Sequence, residues 1–368
     1  MSTASFLNWI VEGFALTSLV WLGLRLTRVN AATRYVIWWT TLAAVVALPA
    51  AARWMPGLSL ASQPGSAGAG LTAVPSWSRQ FAINVPALPE WLWTSLMIAW
   101  LVVIAVMGVR FLGGLAAIRS LKRSSKPLGS PYEERLIVWK TLRGRGRTVR
   151  LAVSDRVAIP SVLGLGCPLI VLPESILGEV SEEELDQIVA HEYAHVQRYD
   201  DWAGLVQLLV RMLLGFHPAV HWIHRELSLE REMACDDWVV ALTGARSAYA
   251  RLLTTFGGKP DRHSHVALSP AVARCRPAIT LRVMRLLDRH QNRSVRLTAA
   301  APVAMAALLI MTLGLSNVAP LLVSETAPVR ALEAWNVAPI WNVAPVMSGP
   351  AARRYRFPLC HAMVPKQV

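Results

Sequence analysis

Three observations predict a mostly α-helical integral membrane protein, in which four membrane-crossing helices carry one cytoplasmic α+β domain. Hydrophobic residues make up 54% of the 368-residue chain and charged ones only 16%, against roughly 25% charged in soluble domains. Four stretches, 6–24, 35–52, 91–109 and 297–322, are apolar for long enough to cross a bilayer. Between the third and the fourth lies a long polar segment that mixes strand-like runs with helix-period patterns.

Taken in chain order, residues 1–112 read as a membrane region of three helices with an outer loop over 53–90, rich in Gly, Ser, Ala and Pro. The first span lacks a basic leader and is followed by arginines, so it reads as a retained helix and not as a cleaved signal. Glu12 is the one charge inside the four spans, and its place near a helix end suits polar headgroups. Positive charge fixes the orientation. Arg25, Arg28 and Arg34 flank the first short loop, Arg119 to Arg150 follow the third span, and Arg282 to Arg296 precede the fourth. By the positive-inside rule these segments are cytoplasmic, which puts both termini outside and the domain 113–296 inside. The net charge of +14 is thereby accounted for, with a contribution from contact with the lipid surface. The basic run from Arg143 to Arg150 has no nucleic-acid-binding fold around it, so no direct nucleic-acid partner is expected.

Inside the domain, Thr148 to Val153 and Leu169 to Leu172 read as short strands. They could form an edge that pairs with an extended peptide, or a purely structural hairpin. Ser181 followed by Glu184 is a capping box, and Leu185, Ile188 and Val189 then continue a helical stripe. This helix carries the motif that decides the chemistry, His191-Glu192-Tyr193-Ala194-His195. Side chains four apart share one helix face, so His191 and His195 can reach one zinc ion while Glu192 stands beside its open position as general base. In a chain with 9 histidines this pattern is too rare to be a chance match.

A third ligand is needed, and Glu232 lies in a second polar helical run at a suitable distance. Asp236, one turn further, would then accept a hydrogen bond from the ring nitrogen that faces away from the metal. Glu226, Glu230, Asp237 and Asp200 compete for the ligand role, and spacing alone excludes none of them. Three groups could stabilise an anionic intermediate: Tyr193, Arg198 and His224.

The segments Ile159-Pro160-Ser161-Val162-Leu163-Gly164 and Pro168-Leu169-Ile170-Val171-Leu172-Pro173 precede the motif. Arg198 and Asp200, then Glu230-Arg231-Glu232 and Ala234-Cys235-Asp236-Asp237, follow it. Together this pattern resembles the BlaR/MecR family of membrane metallopeptidases, by motif over about residues 150 to 245. The resemblance implies a zincin-like domain of gluzincin type, with zinc held by His191, His195 and Glu232 and with Glu192 as the base. It also implies a signal transducer of a bacterial inner membrane that cleaves a cytosolic transcriptional repressor or itself; a homodimer is left open. Between Leu322 and Val368 there is too little chain for a penicillin-binding sensor domain, so β-lactam sensing is not expected. Two other readings stand beside this one, a quality-control protease of the HtpX type and a non-catalytic receptor or scaffold with structural zinc.

The apolar stretch 202–223 has the length of a span, yet a full crossing would part His195 from Glu232. Arg211, Gly215 and His217-Pro218 favour a hairpin dipping into the inner leaflet over a buried core helix. The four cysteines predict no disulfide, because Cys167, Cys235 and Cys275 fall on the reducing side and Cys360 alone outside. After the fourth span, residues 323–368 read as a weakly ordered tail in which Asn-Val-Ala-Pro recurs at 336–339 and 342–345.

Overall fold

The computed structural model describes residues 3–27, 29–54, 83–257, 272–288, 297–298, 300–318 and 323–326. The two Asn-Val-Ala-Pro copies of the tail, Cys360 and most of the loop expected over 53–90 lie outside these. Helix α1 (Thr3–Leu26) and helix α2 (Ala31–Trp54) run antiparallel, with the Trp9 indole donating to the Val45 carbonyl at one end and Arg34 to the Leu24 carbonyl at the other. Asn30 starts α2 by accepting from the Thr33 amide at 3.0 Å, which satisfies one of the orphan donors of the first turn. Helix α3 (Glu90–Ser124) is a single helix of 35 residues. At about 52 Å it outruns the roughly 30 Å hydrocarbon core, so the apolar span continues unbroken into the basic segment. Among the described residues these three helices are long and apolar enough to cross a membrane.

The polar segment folds around a four-stranded sheet of β2 (Lys126–Pro127), β3 (Arg150–Ser154), β5 (Leu169–Pro173) and β4 (Ser161–Leu163), in that spatial order. The expected strands exist within two residues, but they form no hairpin with each other. They pair in parallel, Leu151 opposite Ile170, and the short β4 lies antiparallel on β5 as the sheet edge. Two short helices, α4 (Ser130–Arg135) and α5 (Ile137–Leu142), lead into the sheet. A 3-10 turn (Glu174–Gly178) leads out of it into α6 (Glu182–Gln197). The Ser181–Glu184 capping box forms as expected. Leu185, Val189, Tyr193 and Val196, at helical spacing, bury one face of α6 against Trp139, Leu142, Ile170 and Leu172. Burying side chains of this size stabilises by about 1.5–3 kcal/mol each.

After α6 the chain turns at Tyr199, in the left-handed region at φ 56°. Arg147 holds this turn by stacking over the Tyr199 ring and gripping Asp201 with two contacts of 2.8 Å. The stretch 202–223 is then a hairpin. Helix α7 (Asp200–Leu213) stops after 14 residues, and α8 (Pro218–Thr243) returns with proline in its first turn. The hairpin tip packs on α1, with His217 5.0 Å from Trp9 and Phe216 5.5 Å from Phe6. The first half of α8 shares a core with α1 and α2 through Val220, Ile223 and Leu227, and its second half reaches the domain core through Val239. Helices α9 (Arg246–Gly257) and α10 (Val272–Leu287) complete the domain. Helix α11 (Ala300–Val318) follows where the fourth span is expected, and its Leu308 joins the core of α1 and α2. Beyond it β6 (Val323–Thr326) pairs in parallel with β1 (Ile83–Pro86), which lies between α2 and α3. Neither strand is anticipated from the sequence.

Candidate metal centre

Ile188, His191, Glu192 and His195 share the face of α6 that lines a cleft of about 1150 Å³. Opposite them the α7–α8 hairpin brings Glu232 back to the same place. The Nε2 of His191 lies 3.5 Å from one Glu232 oxygen and the Nε2 of His195 lies 3.7 Å from the other. The two imidazoles stand 4.9 Å apart at 88°. These separations are long for charge-assisted hydrogen bonds, which run at about 2.7–2.9 Å. They match a shared ion, since tetrahedral ligands about 2.0–2.2 Å from zinc lie roughly 3.3–3.6 Å from one another.

His195, Asp200 and Cys235 form a second group of metal-binding side chains. Here Asp200 lies 2.9 Å and Cys235 3.3 Å from the same Nδ1 of His195, an arrangement that hydrogen bonding around one nitrogen accounts for. Burial pushes the Cys235 thiol pKa up, and the neighbouring His195 pulls it down in part. Burial also opposes charge on His195, yet Cys235, Asp200 and Glu232 raise that pKa well above the usual histidine range, so the site favours a positive charge beside the ring, which a proton or a metal ion at Nε2 supplies.

The other candidate ligands do not converge on the two Nε2 atoms as Glu232 does. Glu230 pairs with Arg34, Asp237 with Arg285 at 2.7 Å, and Asp200 with His195; Glu226 does not line the cleft. Asp236 is near its expected place, 3.5 Å from the Nδ1 of His191. The direct partner of that nitrogen is a residue the sequence did not single out, Tyr249 of α9. Its hydroxyl lies 2.9 Å from Nδ1 and donates to Asp236 at 2.7 Å. Asp236 also takes two bonds of 2.7 and 2.6 Å from Arg282 of α10, whose remaining nitrogen sits 3.2 Å from Glu232. Burial by itself would raise the Glu232 pKa, but His191, His195 and Arg282 outweigh it and drive the carboxyl well below its ordinary range.

None of the three side chains suggested for stabilising an anionic intermediate lines the cleft. Tyr193 donates to the Leu142 and Arg145 carbonyls, Arg198 is drawn to Asp200 and the Tyr35 ring, and His224 belongs to the hairpin. Among the described residues, the cations that line it are Arg231 and Arg282. The edge strand β4 lines the cleft through Ser161 and Val162, and Leu252 and Leu253 supply apolar lining.

Over residues 4–286 the sequence matches the family described as BlaR1 peptidase M56. It is similar to the regulatory protein BlaR1 of Staphylococcus aureus, 21% identical over 143 residues, 39% of this chain and 24% of that protein. Likeness to the methicillin resistance mecR1 protein of Staphylococcus aureus strain Mu50 is 23% over 154 residues, 42% and 23% of the two chains. For the regulatory protein BlaR1 of Bacillus licheniformis it is 25% over 165 residues, 44% and 27%. The matched stretches span about a quarter of the length of these curated relatives.

Proposed function

The chain belongs to the BlaR1 peptidase M56 family, and from that premise we propose that it is a membrane-embedded, zinc-dependent endopeptidase. His191, His195 and Glu232 are its metal ligands and Glu192 its general base. The observation that carries this reading is the convergence of two Nε2 atoms on one carboxylate, at ligand spacing, in a cleft that Glu192 also lines. Zinc held by these three side chains would supply Lewis acidity and bring the pKa of water toward ~7. Glu192 takes the proton of the attacking water and hands it to the leaving amine. The Nδ1–H groups of His191 and His195 donate to Tyr249 and Asp200, which selects the tautomer whose Nε2 lone pair faces Glu232. Arg282 is committed to Asp236, so among the described residues Arg231 is the cation left to meet negative charge developing on the substrate. The unpaired side of β4 offers backbone N–H and C=O groups to an extended peptide, an affinity that tolerates many sequences.

In this reading α1, α2, α3 and α11 cross a bacterial cytoplasmic membrane with both termini outside. The α7–α8 hairpin enters the inner leaflet without crossing. Helix α7, at about 21 Å, is too short to span, and Trp202, Val206 and Leu213 present an exposed apolar face that suits lipid. The cleft then opens to the cytoplasm, and the substrate is a cytosolic protein such as a transcriptional repressor, or the chain itself. Purified full-length protein in nanodiscs, given an unfolded protein substrate, should cleave it, whereas Glu192→Gln should keep its zinc and lose at least ~100-fold in rate. Equal cleavage by the two would contradict the reading.

A further inference from the structure

Three consecutive residues in the first turn of α2 each reach a different part of the molecule. Thr33 accepts from the Thr298 amide at 3.0 Å, just ahead of α11. Arg34 donates to Glu230 of α8 and, at 3.1 Å, to the Leu24 carbonyl at the end of α1. The Tyr35 hydroxyl lies 3.5 Å from Asp200, under the Arg198 guanidinium, and the other oxygen of Asp200 holds His195 at 2.9 Å. On α8 the Glu230 side chain is 1% exposed. Glu232 lies two positions further along, which turns the two carboxylates about 200° apart around the helix axis. Arg34 therefore grips α8 from the membrane-bundle side at the level where α8 presents Glu232 to the cleft. A buried ion pair adds little net stability but can fix the register of the elements it joins.

We propose that this turn of α2 sets the geometry of the metal centre, with Arg34 as a positioning residue for Glu232 through Glu230 and Tyr35 as one for His195 through Asp200. The inference rests on the metallopeptidase reading. It ties the site to α1, α2 and α11, so a shift of these helices against α8 changes the separation of Glu232 from the two histidines.

Zinc affinity, measured by chelator competition on the full chain in nanodiscs, tests it together with the melting temperature. Arg34→Met alone strands a buried carboxylate and could unfold the protein. The double variant Arg34→Met/Glu230→Gln removes both charges and keeps a filled interface. It should melt close to wild type yet bind zinc about 10-fold or more weakly, the scale of losing support for a ligand. Tyr35→Phe, which keeps the ring under Arg198, should weaken zinc in the same direction, and Arg34→Lys should recover most of the affinity. A double variant whose zinc affinity stays within about twofold of wild type, or falls only together with the melting temperature, overturns the proposal. Wild-type protein that binds no zinc would instead overturn the metallopeptidase reading itself.

Discussion

The Tyr249 hydroxyl stands between His191 and Asp236, 2.9 Å from the imidazole Nδ1 and 2.7 Å from the carboxylate. A phenol has one proton to give, and burial beside Asp236 keeps it in place. It donates to Asp236 and accepts from His191, which fixes the histidine tautomer. Tyr249→Phe should therefore weaken zinc binding by about 10 to 100-fold in a chelator competition, while Arg282 continues to satisfy Asp236. Unchanged affinity would mean that Asp236 reaches His191 without the tyrosine.

Arg231 lines the cleft with its Nε 3.9 Å from Glu232 and its Nη1 3.5 Å from the Gln207 side chain. If it meets the charge that develops on the substrate, Arg231→Ala should lower kcat about 10² to 10³-fold with zinc content intact. A loss confined to KM would assign Arg231 to substrate binding alone.

The HExxH helix, its capping box and the approach of Glu232 were legible because each is a short-range pattern on a helical face. The residues supporting the site were less so. Tyr249 and Arg282 come from α9 and α10, and no spacing within the motif points to a partner that only tertiary packing delivers. Asp200 was noticed as a candidate ligand, yet the turn at Tyr199 aims it at Nδ1 of His195, the nitrogen facing away from Glu232. β4 was missed because three residues are too few for an alternating pattern, although Ser161 to Leu163 stood inside the segment that carried the family resemblance. The parallel pairing of β1 with β6 joins segments far apart in the chain and leaves no local signal.

Gly13 of α1 marks where the hairpin tip docks. A Cβ there would come within 2.6 Å of the buried His217 ring and 3.2 Å of Val45. Gly13→Ala should destabilise by about 1–3 kcal/mol, the usual cost of overpacking, and lower the melting temperature in detergent. Gly23→Ala is the control, since nothing lies within 4 Å of its Cβ. Equal behaviour of the two variants would show that the tip is not packed against α1.

Topology can be read with reporter fusions. Gly178 precedes α6 and Gly257 ends α9, so the pair flanks the α7–α8 hairpin. Both fusions should report the cytoplasm. Opposite sides would require the hairpin region to cross the membrane, and Glu232 could not then share a metal with His191 and His195.

The central claim is that the ion sits between the Nε2 atoms and Glu232, and not in the neighbouring group of His195, Asp200 and Cys235. X-ray absorption at the zinc edge of the full-length protein separates the two. The account predicts one zinc per chain with only nitrogen and oxygen neighbours at about 2.0–2.2 Å, including two imidazoles. A sulfur neighbour at about 2.3 Å would place Cys235 on the metal and contradict it.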